Sequence, residues 1–154
     1  MPTLGTIVRT LTGIRERRRL RSRVKKTLAL KSRGAIFNDG LPLRKLANHL
    51  EVEWFAREPH PWDQDLAPDR KAELFVVESL SDTIVAICRM FDRLPEVDTI
   101  RIRVLQPTEP HNTLLAGTVH RADLHASRRC PSPAMSLKLL GIRYRVTDGA
   151  FEPL

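Results

Sequence analysis

The side chains best suited to chemistry fall in a few short stretches. His60, Asp63 and Asp65, in a His-x-x-Asp-x-Asp spacing, offer an imidazole and two carboxylates that a loop can turn onto one metal ion. Glu51 and Glu53 are two residues apart, so on an extended strand they share a face. With Asp63 or Asp98 they would suit the Mg²⁺ of a nuclease. His120, Asp123 and His125 combine imidazole with carboxylate, the pairing used for proton transfer. Cys130 follows Arg128 and Arg129, cations of the kind that lower a thiol pKa.

Each set also has a plainer explanation. Pro59 and Pro61 make the His60 stretch a rigid loop between a strand and a helix. Pro68-Asp69 is not followed by an acid-x-Lys pair on a later strand, as a PD-(D/E)xK nuclease requires. No motif sets a serine or cysteine nucleophile beside the histidines, and there is no GxGxxG, P-loop or HExxH. Cys88 and Cys130 stand alone, without a CxxC partner. These observations predict no catalytic residue, no metal and no cofactor. A metal-dependent nuclease is the weakest of the readings.

The arginines carry more information. Arg101, Arg103, Arg143 and Arg145 each lie on the polar side of an expected strand. If those strands are neighbours, four guanidiniums share one sheet face that phosphates could approach. The same arginines could instead pair with Glu51 and Glu53 across strands. A denser group is N-terminal. Residues 1–34 hold eleven basic residues against the single acid Glu16, a net charge of +10, while residues 35–154 hold 15 basic and 17 acidic residues. The chain's formal +8 is thus the property of an arm carried by a near-neutral body.

Helical spacing runs through that arm. Leu4, Ile7, Val8, Leu11 and Ile14 form one apolar stripe, and Leu20, Val24 and Leu28 form a second. The two point well apart around a helix, so one straight helix cannot bury both on one flat surface. Gly34 suits the end of the arm, and Asn38-Asp39-Gly40 suits a turn.

In the body, Leu50 to Glu58 alternates as a half-buried strand, with Leu50, Val52, Trp54 and Ala56 inward. Pro68 opens a long helix whose apolar set is Val77, Leu80, Ile84, Ile87, Phe91 and Leu94, and Pro95 stops it. Strands around Ile100–Val104 and Leu115–Val119 form an antiparallel hairpin. Ser132 and Pro133 start a short helix that closes on Gly141. Ile142 to Val146 is a last strand, turned at Thr147-Asp148-Gly149, with Ala150-Phe151 pairing back. Leu43 to Val52 has the look of the first helix of a helix-turn-helix, but Glu53-Trp54-Phe55 and prolines stand where a recognition helix belongs.

The elements predict an α+β fold: a small antiparallel sheet packed by one long helix, with a basic helical arm at residues 1–34 and a single domain at residues 35–154. Their order resembles a ferredoxin-like βαββαβ arrangement. No apolar run reaches the length of a transmembrane segment. Arginine outnumbers lysine 20 to 6, a bias of GC-rich bacterial genomes, and the cysteines suit a reducing cytoplasm. The functional expectation is a non-enzymatic, nucleic-acid-associated protein. Arg15, Arg17, Arg18, Arg19, Arg21, Arg23, Lys25 and Lys26 would meet phosphates, with Arg101, Arg103, Arg143 and Arg145 as a second contact. An assembly module whose arm docks on an acidic protein partner is the alternative. Membrane-surface association is weaker, because the arm has no Trp or Phe.

Overall fold

The computed structural model describes residues 18–24 and 43–154. Residues 18–24 are helical (α1). Strands β1 (Leu43–Leu46) and β2 (His49–Phe55) form a hairpin, followed by the long helix α2 (Pro68–Arg93). Strands β3 (Thr99–Leu105) and β4 (Thr113–His120) come next, then the short helices α3 (Leu124–Ser127) and α4 (Pro133–Leu139). A closing hairpin is made of β5 (Arg145–Thr147) and β6 (Ala150–Glu152). The expected apolar stripe at residues 4–14 lies outside the described residues, as do Leu28, the Gly34 cap and the Asn38-Asp39-Gly40 turn.

The α+β class is the expected one, and most elements stand where their residues place them. β2 buries every second residue, and Leu50, Val52 and Trp54 face the core. α2 opens on Pro68, whose missing N–H costs nothing in a first turn, and ends before Pro95. The Ser132 hydroxyl accepts the Met135 N–H at 3.3 Å to cap α4, which Gly141 leaves at φ +79°. β3 and β4 pair antiparallel, and so do β5 and β6.

Three expectations change. First, the sheet is mixed rather than antiparallel. Its order is β1-β2-β3-β4, and β2 and β3 are parallel immediate neighbours joined through α2. A ferredoxin-like order splits that pair with another strand. Here β1 occupies the outer edge of β2, and the last strand pairs with β6 instead of entering the sheet. Second, the segment at Leu43, where the residues that follow already disfavour a helix-turn-helix and no strand is expected from the sequence, forms strand β1, paired residue by residue with β2 through Leu46↔His49. Leucine, lysine and arginine favour helix in isolation, but pairing against a buried strand overrides propensity. Third, Val77 points to solvent. The buried line of α2 runs through Val76, Leu80, Thr83, Ile87 and Met90, one position away from the apolar set read at its start.

One face of the sheet forms the core with α2 and α4. Leu50, Val52, Ile100, Ile102, Leu115 and Val119 meet Ile87, Met90, Phe91 and Leu137 there. Leu20 and Val24 of α1 belong to the same core, with Val24 fully buried. Part of the basic segment is therefore folded onto the body, held by its second apolar stripe.

Where β2 ends, Arg57 reaches across to α2. Its guanidinium lies 2.9 Å from Asp82 and 3.8 Å from Glu78, one helical turn apart. Burial pushes the Asp82 carboxyl above the usual carboxylate range; Arg57 pulls it back and Glu78 pushes it up again. A raised folded-state pKa favours folding below the unfolded value, near 3.8, and that benefit is lost as pH rises through the folded value. The native chain should therefore gain stability relative to Asp82→Asn between neutral pH and about pH 4. Urea unfolding of both chains at the two pH values measures the gap. A gap that shrinks on acidification would mean that the Arg57 pair outweighs burial.

Candidate nucleic-acid interface

The exposed face of the sheet is ordered by its register. Glu51 lies opposite Arg101 and Glu53 opposite Arg103 on the parallel pair β2–β3. The Arg101 guanidinium stands 3.7 Å from Glu51, and Arg103 hydrogen-bonds Glu53. Cross-strand pairing thus engages two of the four sheet arginines, and it engages the two carboxylates considered for Mg²⁺. Arg143 joins the same face. It bridges Ala116 at the edge of β4 through both backbone hydrogen bonds, which sets it in one row with Glu53, Arg103 and Ala116. Arg145 lies two residues further on, exposed, on the separate β5–β6 hairpin. The sheet therefore brings together Arg101, Arg103 and Arg143, but not Arg145.

The arrangement of the other candidate side chains is local. His60 Nδ1 accepts the Trp62 N–H at 3.3 Å, capping a one-turn 3₁₀ helix at Pro61–Asp63, and its ring lies parallel to Trp62. His120 Nδ1 is 3.2 Å from the Thr99 hydroxyl, while His125 Nε2 receives Arg129 at 3.2 Å, so the two histidines face different partners. Among the described residues, no group of three or more His, Cys, Asp or Glu side chains converges as a metal site. Cys88 and Cys130 are both free. Burial pushes the Cys88 thiol up, against a pull from Arg128, and Arg128 itself is held by Asp92 at 2.9 Å.

Formal charge is unevenly distributed along α2. Its 26 residues span about 39 Å at the helical rise. Around its N-terminal half, residues 57–82 carry seven acids (Glu58, Asp63, Asp65, Asp69, Glu73, Glu78, Asp82) and three bases (Arg57, Arg70, Lys71). Three segments converge on its C-terminal end. Arg23 of α1 donates to the Arg93 carbonyl at 3.0 Å and pairs with Glu96 at 2.8 Å. Arg121, just after β4, donates to the carbonyls of Phe91, Leu94 and Val97. Arg128 of the α3 end holds Asp92 on α2.

Nine arginines gather at this end: Arg18, Arg19, Arg21, Arg23, Arg89, Arg93, Arg121, Arg128 and Arg129. Only Asp92, Glu96, Asp98 and Asp123 oppose them, a net +5 among the described residues. The helix C-terminus, whose last carbonyls lack intrahelical donors and whose dipole end is negative, accounts for part of the gathering. Arg23 and Arg121 are engaged in that capping. Arg18, Arg19 and Arg93 are exposed.

Of the eight N-terminal cations singled out from the sequence, Arg18, Arg19, Arg21 and Arg23 stand at this pole. Arg15, Arg17, Lys25 and Lys26 lie outside the described residues. Arg89, Arg93, Arg121, Arg128 and Arg129 join Arg18, Arg19, Arg21 and Arg23 only through the fold, and the late position of Arg89 and Arg93 in an amphipathic helix is the one signal the sequence holds for any of the five. No helix among the described residues is long and apolar enough to cross a membrane. Comparison of the chain with protein-family models, curated proteins and solved structures gives no match.

Proposed function

We propose that this is a non-enzymatic, nucleic-acid-associated protein that holds the phosphate backbone at the basic pole formed by α1 and the C-terminal end of α2. The observation that carries the reading is the separation of charge along α2. A net +5 around the C-terminal end of the helix, against −4 over residues 57–82 before and along its N-terminal half, orients the molecule toward a polyanion. Exposed Arg18, Arg19 and Arg93 supply planar donors for phosphate oxygens, and Arg15, Arg17, Lys25 and Lys26 extend the same basic stretch in sequence. Arg101 and Arg103, already paired with carboxylates, give a weaker second contact, together with Arg143 and Arg145.

Deleting the basic segment would be a poor test, since it removes Leu20 and Val24 from the core. Charge reversal at exposed positions keeps the core. At physiological salt each lost phosphate contact weakens duplex binding roughly fivefold, so Arg18→Glu/Arg19→Glu should lose about 30-fold. Asp63→Asn/Asp65→Asn, at the acidic pole, should bind no more weakly than the native chain. Fluorescence anisotropy on a labelled duplex reads both. Unchanged affinity in the Arg18/Arg19 variant would overturn the proposal. So would a native chain that binds an acidic protein and no nucleic acid.

A further inference from the structure

We infer that the polyanion is a nucleic-acid double helix rather than a single strand, an inference that rests on the proposed function and names its ligand. The two forms differ in what they ask of a protein. Single strands are held largely by stacking their bases on aromatic rings, whereas a duplex hides its bases and offers a denser row of phosphates. The chain has eight aromatic residues, Phe, Trp and Tyr together, and seven of them are among the described residues.

None of the seven is a stacking platform at the basic pole. Trp54 and Phe91 are buried in the core, and the Phe91 ring is already covered by the Arg121 guanidinium at 4.9 Å. Phe55 packs edge-on against His111, and Phe75 against Phe151. Lys138 sits over the Tyr144 ring. Among the described residues, the one widely exposed ring is Trp62, 86% accessible and parallel to His60, a geometry fit for stacking a base. It sits at the wrong pole, in a loop with Glu58, Asp63 and Asp65, whose carboxylates repel phosphate. The eighth ring, Phe37, lies outside the described residues and beyond the Arg-rich block in sequence. Among the described residues, the basic pole therefore offers guanidiniums without an exposed ring, which suits a backbone better than splayed bases.

With about six phosphates neutralised, the steeper counterion release of a duplex alone favours it over a single strand by about tenfold at physiological salt. The test is competition anisotropy on the full chain, with duplex DNA, duplex RNA and single strands of equal length, for the native protein and Trp62→Ala. Tighter binding to at least one duplex, about tenfold, with Trp62→Ala matching the native chain on every ligand, is the expected result. Single strands bound as tightly as duplexes, or single-strand affinity lost in Trp62→Ala, would overturn this inference and leave the proposed function standing. Binding to neither form would overturn both.

Discussion

Gly117→Ala is expected to lower stability by about 3 kcal/mol, the upper end for an added methyl in a packed site, and to lower the thermal midpoint by about 10 °C. Gly117 sits in β4 on the core side, between buried Leu115 and Val119. The turn that follows α4 is pressed against it. A Cβ at this position would come within 2.6 Å of the Gly141 carbonyl oxygen and 2.9 Å of the Ile142 side chain. The first of these neighbours is backbone, so no side-chain rotation relieves the clash. The turn itself must move, and with it the bridge between Ala116 and Arg143 that completes the sheet edge. A glycine inside a strand often marks such a close approach. Thermal unfolding followed by circular dichroism measures the effect. A midpoint within a degree or two of the native chain would show that the turn packs elsewhere.

Arg121→Ala should cost a similar amount, about 3 kcal/mol, for a different reason. The Arg121 guanidinium caps the end of α2, giving Nη1 to Phe91 O at 3.0 Å, Nη2 to Leu94 O at 2.8 Å and Nε to Val97 O at 3.0 Å. Its plane also covers Phe91. Removing it leaves the Phe91 carbonyl at the helix end and the Val97 carbonyl in the following turn without that donor, while Leu94 O keeps the Val97 N–H, and it takes a cation from the negative end of the dipole. Arg121→Lys should recover less than half of the loss, because one ammonium cannot span three carbonyls in a fixed fork. Urea unfolding of the three chains gives the ordering native, lysine, alanine. A lysine variant as stable as the native chain would reduce the role of Arg121 to its charge.

Local chemistry made much of this fold legible before the structure. Alternation at Leu50–Trp54, the prolines that bracket α2, the Ser132-Pro133 start of α4 and the Asp148-Gly149 turn are signals contained within a few residues, and the elements follow them. What local signals could not show are the features made by pairing. β1 is built from helix-favouring residues and exists because β2 offers it an edge. The parallel contact of β2 with β3 depends on the path of α2. Arg121 follows a strand with nothing in its neighbours to mark it as a helix cap.

The candidate site divides in the same way. The +10 of residues 1–34 is plain in the sequence. That α1 brings Arg18 and Arg19 to the end of α2 that carries Arg93, while seven acids lie before and along the other half of that helix, follows only from the fold. The pairing of Arg101 and Arg103 with Glu51 and Glu53 was one of two alternatives from the sequence. The register decides for it geometrically by setting each arginine directly opposite a carboxylate.

The central claim is that the basic pole meets phosphates, and the dependence of duplex affinity on salt tests it most directly. The native chain should show a steep log–log slope, on the order of −5 for about six contacts, and Arg18→Gln/Arg19→Gln should flatten it by about two units. A native slope near zero, or a slope that the double variant leaves unchanged, would contradict the account.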